Sequence, residues 1–226
     1  MKIGIIVAMS KELALLTPLL ADSKTIEIDG YKYITGKIGS HDVVAMECGI
    51  GKVNAAIGTL TLLNNFKLDL VLSTGVAGGA DKSVNVMDVV VADRIAYHDV
   101  WCGPGTVHGQ SAGNPLFFTS NESVSALLPA SSSVKHGLLC SGDMFIDSIE
   151  QVETIKGKFH DALAVDMESA AIAHVCHRKG VEFFCMRVIS DSPGAGHDNA
   201  VQYDNFWEDA PKHTFSIVHQ LLLNLK

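Results

Sequence analysis

Apolar runs alternate with helical patterns along almost the whole chain. Residues 2–8 (KIGIIVA), apolar after Lys2, predict a buried strand, and Ser10 is placed to cap a helix over Glu12–Leu20. Three extended runs follow between about 24 and 47, divided at Asp29-Gly30 and Gly39-Ser40, both of which are hairpin signals. A helix is predicted over 52–65, then a wholly apolar strand Leu68–Leu72 that runs into the glycine-rich turn Thr74-Gly75-Val76-Ala77-Gly78-Gly79. Further strands are predicted at 87–92, 134–140, 162–166 and 182–190, and helices at 148–157, 167–179 and 205–224. The helix from Met167 ends on Arg178-Lys179-Gly180, a basic last turn with a glycine just beyond it. Fully apolar strands interleaved with helices imply a sheet covered on both faces, in a three-layer αβα domain occupying residues 1–226 as a single unit. The one long irregular segment is 99–118, and a loop of that length in a compact domain is usually functional or packs against a partner. It carries Trp101, Phe117 and Phe118, which suggests an interface.

Composition narrows the function. Apolar residues make up 47% of the 226 and charged ones only 19%, which suits a packed enzyme rather than a disordered chain. The net charge of −8 argues against a nucleic-acid binder, which needs a basic face, but is compatible with an uncharged nucleoside. MKIGIIVAM does not read as a signal peptide, and no apolar run reaches the roughly 18–20 residues of a membrane span. The five cysteines are scattered, with no C-x-x-C, as expected of a reducing, cytoplasmic compartment. Familiar signatures fail one by one. Gly49-Ile50-Gly51-Lys52 lacks the remaining residues of a phosphate loop, the first strand–helix junction has no G-x-G-x-x-G, and Ser141 sits in C-S-G-D rather than a nucleophile elbow. His174 and His177 share a helix face but have no H-E-x-x-H around them, so neither a metal nor a cofactor is expected.

What survives is a set of acidic residues beside strand ends, where open α/β sheets collect ligands. Glu12 follows the first strand, Asp166-Met167-Glu168 joins a strand to a helix, and Asp191 closes the strand F-F-C-M-R-V-I-S. Singly, each reads better as plain structure: Asp191 as a cap or turn residue, Glu168 as a helix-dipole partner and Glu12 as part of a solvated helix face. They occur, however, in an ordered series: Ala8-Met9 with Glu12, Cys48-Gly49-Ile50-Gly51-Lys52-Val53, Thr74-Gly75-Val76-Ala77-Gly78-Gly79, Ser141-Gly142-Asp143-Met144-Phe145-Ile146, Val165-Asp166-Met167-Glu168, Ala171 to His177, and Arg187-Val188-Ile189-Ser190-Asp191. This series closely resembles the 5′-methylthioadenosine/S-adenosylhomocysteine nucleosidases, a branch of the nucleoside phosphorylase superfamily, from the first strand to about Phe206. The resemblance implies a nucleoside phosphorylase-like αβα fold around a twisted mixed β-sheet, assembled as a homodimer.

It also implies a reaction: hydrolysis of the N-ribosidic bond of 5′-methylthioadenosine and S-adenosylhomocysteine, with release of adenine, as in methionine salvage. Breaking that bond requires a proton on N7 of the departing base, and the resemblance gives the acid to Asp191, whose carboxyl must then hold a proton near neutral pH. It gives the base that activates water to Glu12, and the ribose hydroxyls to Glu168, with Met167 packing on the sugar. Phe145 would stack on adenine, the backbone of Ile146 would pair with its edge, and Ala77 and Gly78 would allow close backbone approach. Met9 and Ile50 would line the thioalkyl side, closed by Pro115 on the 99–118 loop of a neighbouring subunit, while Arg187 is expected to orient a carboxylate. The chain departs from the family at Val76, Asp166, Ser10-Lys11 and the segment 192–196. Three other functions fit less well. A nucleoside phosphorylase would want arginine forks for phosphate, and only Arg94, Arg178 and Arg187 exist. A futalosine-type nucleosidase would keep the same acid and ribose ligand, and a non-catalytic nucleoside-binding module would have no need of an acid–base pair.

Overall fold

Period-two alternation decides which way the first strand faces. The computed structural model describes residues 1–128, 131, 133–193, 199–209 and 211–225. In it, β1 (Lys2–Val7) sends Ile3, Ile5 and Val7 into one apolar cluster and Ile6 into another. Both faces are therefore buried. After β1 come α1 (Ser10–Leu16) with a single 3-10 turn, the antiparallel β2 (Ala21–Ile28) and β3 (Tyr31–Ile38), and β4 (His41–Glu47). Then follow α2 (Lys52–Asn65), β5 (Leu70–Ser73), β6 (Val76–Gly79), β7 (Val89–Tyr97), β8 (Phe118–Thr119), α3 (Glu122–Ser125) and β9 (Val134–Ser141). The chain continues through α4 (Ile149–Lys156), β10 (Ala162–Asp166), α5 (Ser169–Lys179), β11 (Glu182–Asp191), α6 (Asn199–Asp209) and α7 (Pro211–Asn224).

The strands form one mixed sheet in the order β2-β3-β4-β1-β5-β11-β6-β10-β9-β7-β8. Long β11 is its hinge: Glu182–Cys185 pair with β5, Met186–Val188 run antiparallel to β7, and Val188–Asp191 lie parallel to β6. The β11–β7 pairing curls half of the sheet back on itself, and short β6 lies between antiparallel β10 and parallel β11, with Gly78 opposite both Val165 and Asp191. On one face α2 (Ala55, Leu62) packs with α5 (Ala170 to Ala173, Cys176), and on the other lie Leu16 of α1, Phe206 of α6 and Phe215, Val218 and Leu221 of α7. This is the expected αβα arrangement around a mixed sheet. Among the described residues no helix is long and apolar enough to cross a membrane.

Several local expectations are corrected. Ser10 is the first residue of α1, not its cap, because Glu12 turns back and accepts the backbone N–H groups of Ala8 and Met9 itself, at 2.9 and 3.0 Å. The glycine-rich stretch 74–79 is not all turn: Val76–Gly79 is strand β6. The helix expected from Met167 starts at Ser169, and the one expected over 205–224 is two helices, α6 and α7. Phe118 does not face outward from the long loop. It forms β8, is 4% exposed and stacks on His174, whose Nδ1 meets the Tyr97 hydroxyl at 3.1 Å. Phe117 also packs inward, against Phe159. Only Trp101, 60% exposed, stands out from the three aromatics of that segment.

Candidate active site

The strand ends converge on a cleft of about 680 Å³ that opens to solvent on one side. Its walls include Met9, Glu12, Ile50, Ala77, Gly78, Phe145, Ile146, Met167, Glu168 and Asp191. Of the residues expected at a site, only Pro115 is not among those lining the cleft of its own chain.

Three carboxylates give the floor its character. Glu12 is 1% exposed, and besides Ala8 and Met9 it accepts the N–H of Val76 at 3.1 Å. Burial raises its pKa, while the Arg187 guanidinium and these three N–H groups pull the other way. The result is a carboxylate of increased basicity whose lone pairs are aimed by the backbone. The chain must come very close to achieve this. A Cβ on Gly75, whose φ is +143°, would lie 2.4 Å from Glu12 Oε1, so only glycine fits there.

Glu168, 6% exposed, sits at the cap position of α5, and its Oε1 accepts the N–H of Gly51 at 2.8 Å. Burial first, then the neighbouring Asp166, push its pKa up to about 7, against the pull of Gly51 and Arg187. Asp191 ends β11 at 2% exposure, where Ser190 Oγ donates to its Oδ1 at 2.5 Å. A Cβ on Gly78 would approach Asp191 Oδ2 to 3.3 Å, so the second glycine also marks a tight passage.

Arg187 orients a carboxylate as expected, and that carboxylate is Asp166. Its Nε donates to Asp166 Oδ2 at 3.0 Å, while the rest of the guanidinium bonds Ser73 Oγ and the Met186 carbonyl. Ser141 and Ser169 also donate to Asp166, each at 2.5 Å. The shorter Asp166, noted as a departure, is thus the centre of a buried network beneath the cleft. Val76 is among the residues lining the wall, packs against the core and serves Glu12 through its backbone N–H.

Sequence reasoning missed other wall residues. Thr74, Met144 and Ser190 lie inside the recognised motifs and could have been assigned to the wall with their neighbours. Tyr203 is different: it lies on α6 in no motif, meets Phe145 edge-on at 6.0 Å and donates its hydroxyl to Met9 Sδ at 3.2 Å. Of the altered segment 192–196, residues 194–196 lie outside the described residues. His174 and His177 lie away from the cleft, beside Phe118.

The model of the phosphorylase superfamily matches residues 2–222. The 5′-methylthioadenosine/S-adenosylhomocysteine nucleosidase of Actinobacillus succinogenes is 40% identical, the alignment covering 100% of both chains. That of Haemophilus influenzae is 39% identical over 98% of this chain and 99% of its own. Among solved structures, the nucleosidase of the same name from S. pneumoniae, with the transition-state inhibitor MT-ImmA, superposes with a TM-score of 0.94 at 36% identity, covering 100% of both chains.

Proposed function

This chain belongs to the phosphorylase superfamily and, within it, to the 5′-methylthioadenosine/S-adenosylhomocysteine nucleosidases, and on that premise we propose how its cleft works. It is an N-glycosyl hydrolase that cleaves 5′-methylthioadenosine and S-adenosylhomocysteine to adenine and the thioribose product. The observation that carries the mechanism is the meeting of Glu12, Glu168 and Asp191, all buried, in one cleft. Asp191 is the acid. It protonates N7 so that adenine departs as a neutral base. Glu12 is the base, taking a proton from the water that attacks C1′; its raised pKa makes it a better proton acceptor, and its three N–H partners fix its direction. Glu168 accepts the ribose hydroxyls, and its negative charge favours the positive charge that develops on the sugar. Met167 packs on the sugar, Phe145 stacks on adenine, Ile146 pairs with the base through its backbone, and Met9 and Ile50 line the thioalkyl end, with Ala77 and Gly78 admitting close approach.

Water rather than phosphate is the nucleophile because the guanidinium in the wall is already engaged. Arg187 is bonded to Asp166, Ser73 and the Met186 carbonyl, and Arg94 is paired with Asp161. Adenine release from methylthioadenosine should therefore run at one rate with and without inorganic phosphate. A rate that requires phosphate, with a pentose 1-phosphate as product, would overturn hydrolysis.

The active unit is a homodimer. The outer stripe Val53, Ile57 and Leu60 of α2 is exposed, as are Trp101 and Val107, and the Lys52–Asp99 ion pair joins the start of α2 to the start of segment 99–118. In this reading, Pro115 of each subunit closes the thioalkyl end of the other's cleft. Light scattering with activity measured over the same dilution series tests it: activity on thioether substrates should fall as dimers dissociate, and a fully active monomer would refute it. All five cysteines are free, which suits a cytoplasmic enzyme of methionine salvage.

A further inference from the structure

A ring of polar contacts lies beside the cleft, and the acid–base chemistry does not use it. Lys52 Nζ donates to Asp99 Oδ1 and Oδ2 at 2.7 and 2.6 Å. Asp99 Oδ2 accepts the backbone N–H of Asp143 at 2.9 Å, and Asp143 Oδ1 accepts the backbone N–H of Lys52 at 2.7 Å. The ring thus closes through three chain segments: the start of α2, the residues after β7, and the turn 142–147 after β9. That turn carries Met144 and Phe145, which are 54% and 47% exposed, while Ile146 beyond them is buried in the core. Its far end is secured separately, where Gln151 Oε1 accepts the N–H groups of Asp147 and Ser148 at 2.8 and 3.2 Å. Its near end is held at Gly142, whose N–H donates to the Asp166 carbonyl at 3.1 Å, and one residue further on by Asp99. Removing Lys52 would leave the carboxylates of Asp99 and Asp143 facing one another uncompensated. Burial drives the Asp99 pKa up, but the hydrogen bonds from Lys52 and Asp143 and the Lys52 charge outweigh it and keep the carboxyl below its usual range.

We propose that Lys52, Asp99 and Asp143 are positioning residues for the purine: they set the turn 142–147 against the cleft, and so the affinity for adenine, without touching substrate. The inference rests on the reading that adenine seats on Phe145 and Ile146. It predicts a split in the kinetics, because a displaced turn weakens the grip on the base while leaving Glu12, Asp191 and Glu168 in place. In Asp99→Ala, KM for methylthioadenosine and the inhibition constant of adenine should both rise about ten-fold, the scale of one charge-assisted hydrogen bond. Turnover should stay within about two-fold and inhibition by methylthioribose should not change. Lys52→Met should show the same split and Lys52→Arg should recover most of it. Asp99→Asn, which keeps an acceptor for Asp143, should fall between and serves if Asp99→Ala does not fold. Folded Asp99 and Lys52 variants that bind adenine as the wild type does, or that lose adenine and methylthioribose affinity by the same factor, would overturn the proposal. A wild-type chain that neither binds adenine nor releases it would instead defeat the reading of the cleft on which the proposal stands.

Discussion

Glu12 and Phe145 face the same cleft, yet one is 1% exposed and the other 47%. The floor, where Glu12, Glu168 and Asp191 sit, is made at strand and helix ends, with backbone N–H groups and Ser190 supplying the hydrogen bonds. The rim, where Ile50, Met144 and Phe145 sit, is apolar, half open and carried on turns. Buried carboxylates are costly unless partnered, so the floor has to be rigid. An apolar rim costs little when empty and gains when an aromatic base covers it. Substitutions in the floor should therefore appear in turnover, and those in the rim in affinity.

The sharpest test is Asp191→Asn. We expect turnover to fall by two or more orders of magnitude, the scale of losing a general acid, with nucleoside binding largely kept. Near-normal turnover would remove Asp191 from the floor's chemistry. Glu12→Gln should cost about as much or somewhat less, since an amide cannot take the proton from water at neutral pH. If the rate falls only a few-fold while affinity collapses, Glu12 belongs with the binding residues.

Glu168→Ala crosses the two classes. A hydrogen bond to a charged acceptor is worth about 1.5–3 kcal/mol, so nucleosides with both ribose hydroxyls should weaken far more than a 2′-deoxy analogue. Equal losses for both would exclude direct ribose contact. At the rim, Phe145→Ala should raise KM about ten-fold and leave turnover nearly unchanged, as expected for losing about 1–2 kcal/mol of stacking and burial. A loss confined to turnover would contradict the division between floor and rim.

The smallest effect concerns stability. Glu168 titrates at about 7 in the fold and near the ordinary 4.5 when unfolded. Between those values the folded chain holds a proton that the unfolded chain has lost, so stability falls as pH rises through that window. Melting temperatures at pH 5 and pH 7.5 should differ less for Glu168→Gln than for the wild type, and an unchanged difference would mean the burial of Glu168 carries no such cost.

Much of the floor was legible in the chain, because Glu12, Glu168 and Asp191 occur in a fixed order with the glycine-rich strings Cys48–Val53 and Thr74–Gly79, although none of the three was distinctive alone. The sheet was legible for a similar reason: runs such as F-F-C-M-R-V-I are too apolar for any place but between two layers. What escaped was decided by contacts distant in sequence. Strand β6 was hidden because Val-Ala-Gly-Gly has little strand preference of its own and is held by pairing with β11 and β10. Phe118 could not be assigned inward or outward without His174, and Tyr203 reaches the cleft only because α6 packs across the end of β11. Ser10 lost its cap role to a carboxylate whose burial no local pattern records.

Gly75 carries a consequence for how this protein can change over generations. A glycine codon altered at one base, when it still encodes an amino acid other than glycine, always adds a Cβ, and here that atom would sit 2.4 Å from Glu12 Oε1. A shorter acid at position 12 would clear the space but withdraw its oxygens from Ala8, Met9 and Val76. Neither residue can be exchanged alone without passing through a damaged intermediate. The two positions are therefore inherited as one unit, and a library that randomises them singly should recover only the parental pair, whereas joint randomisation opens whatever alternatives exist.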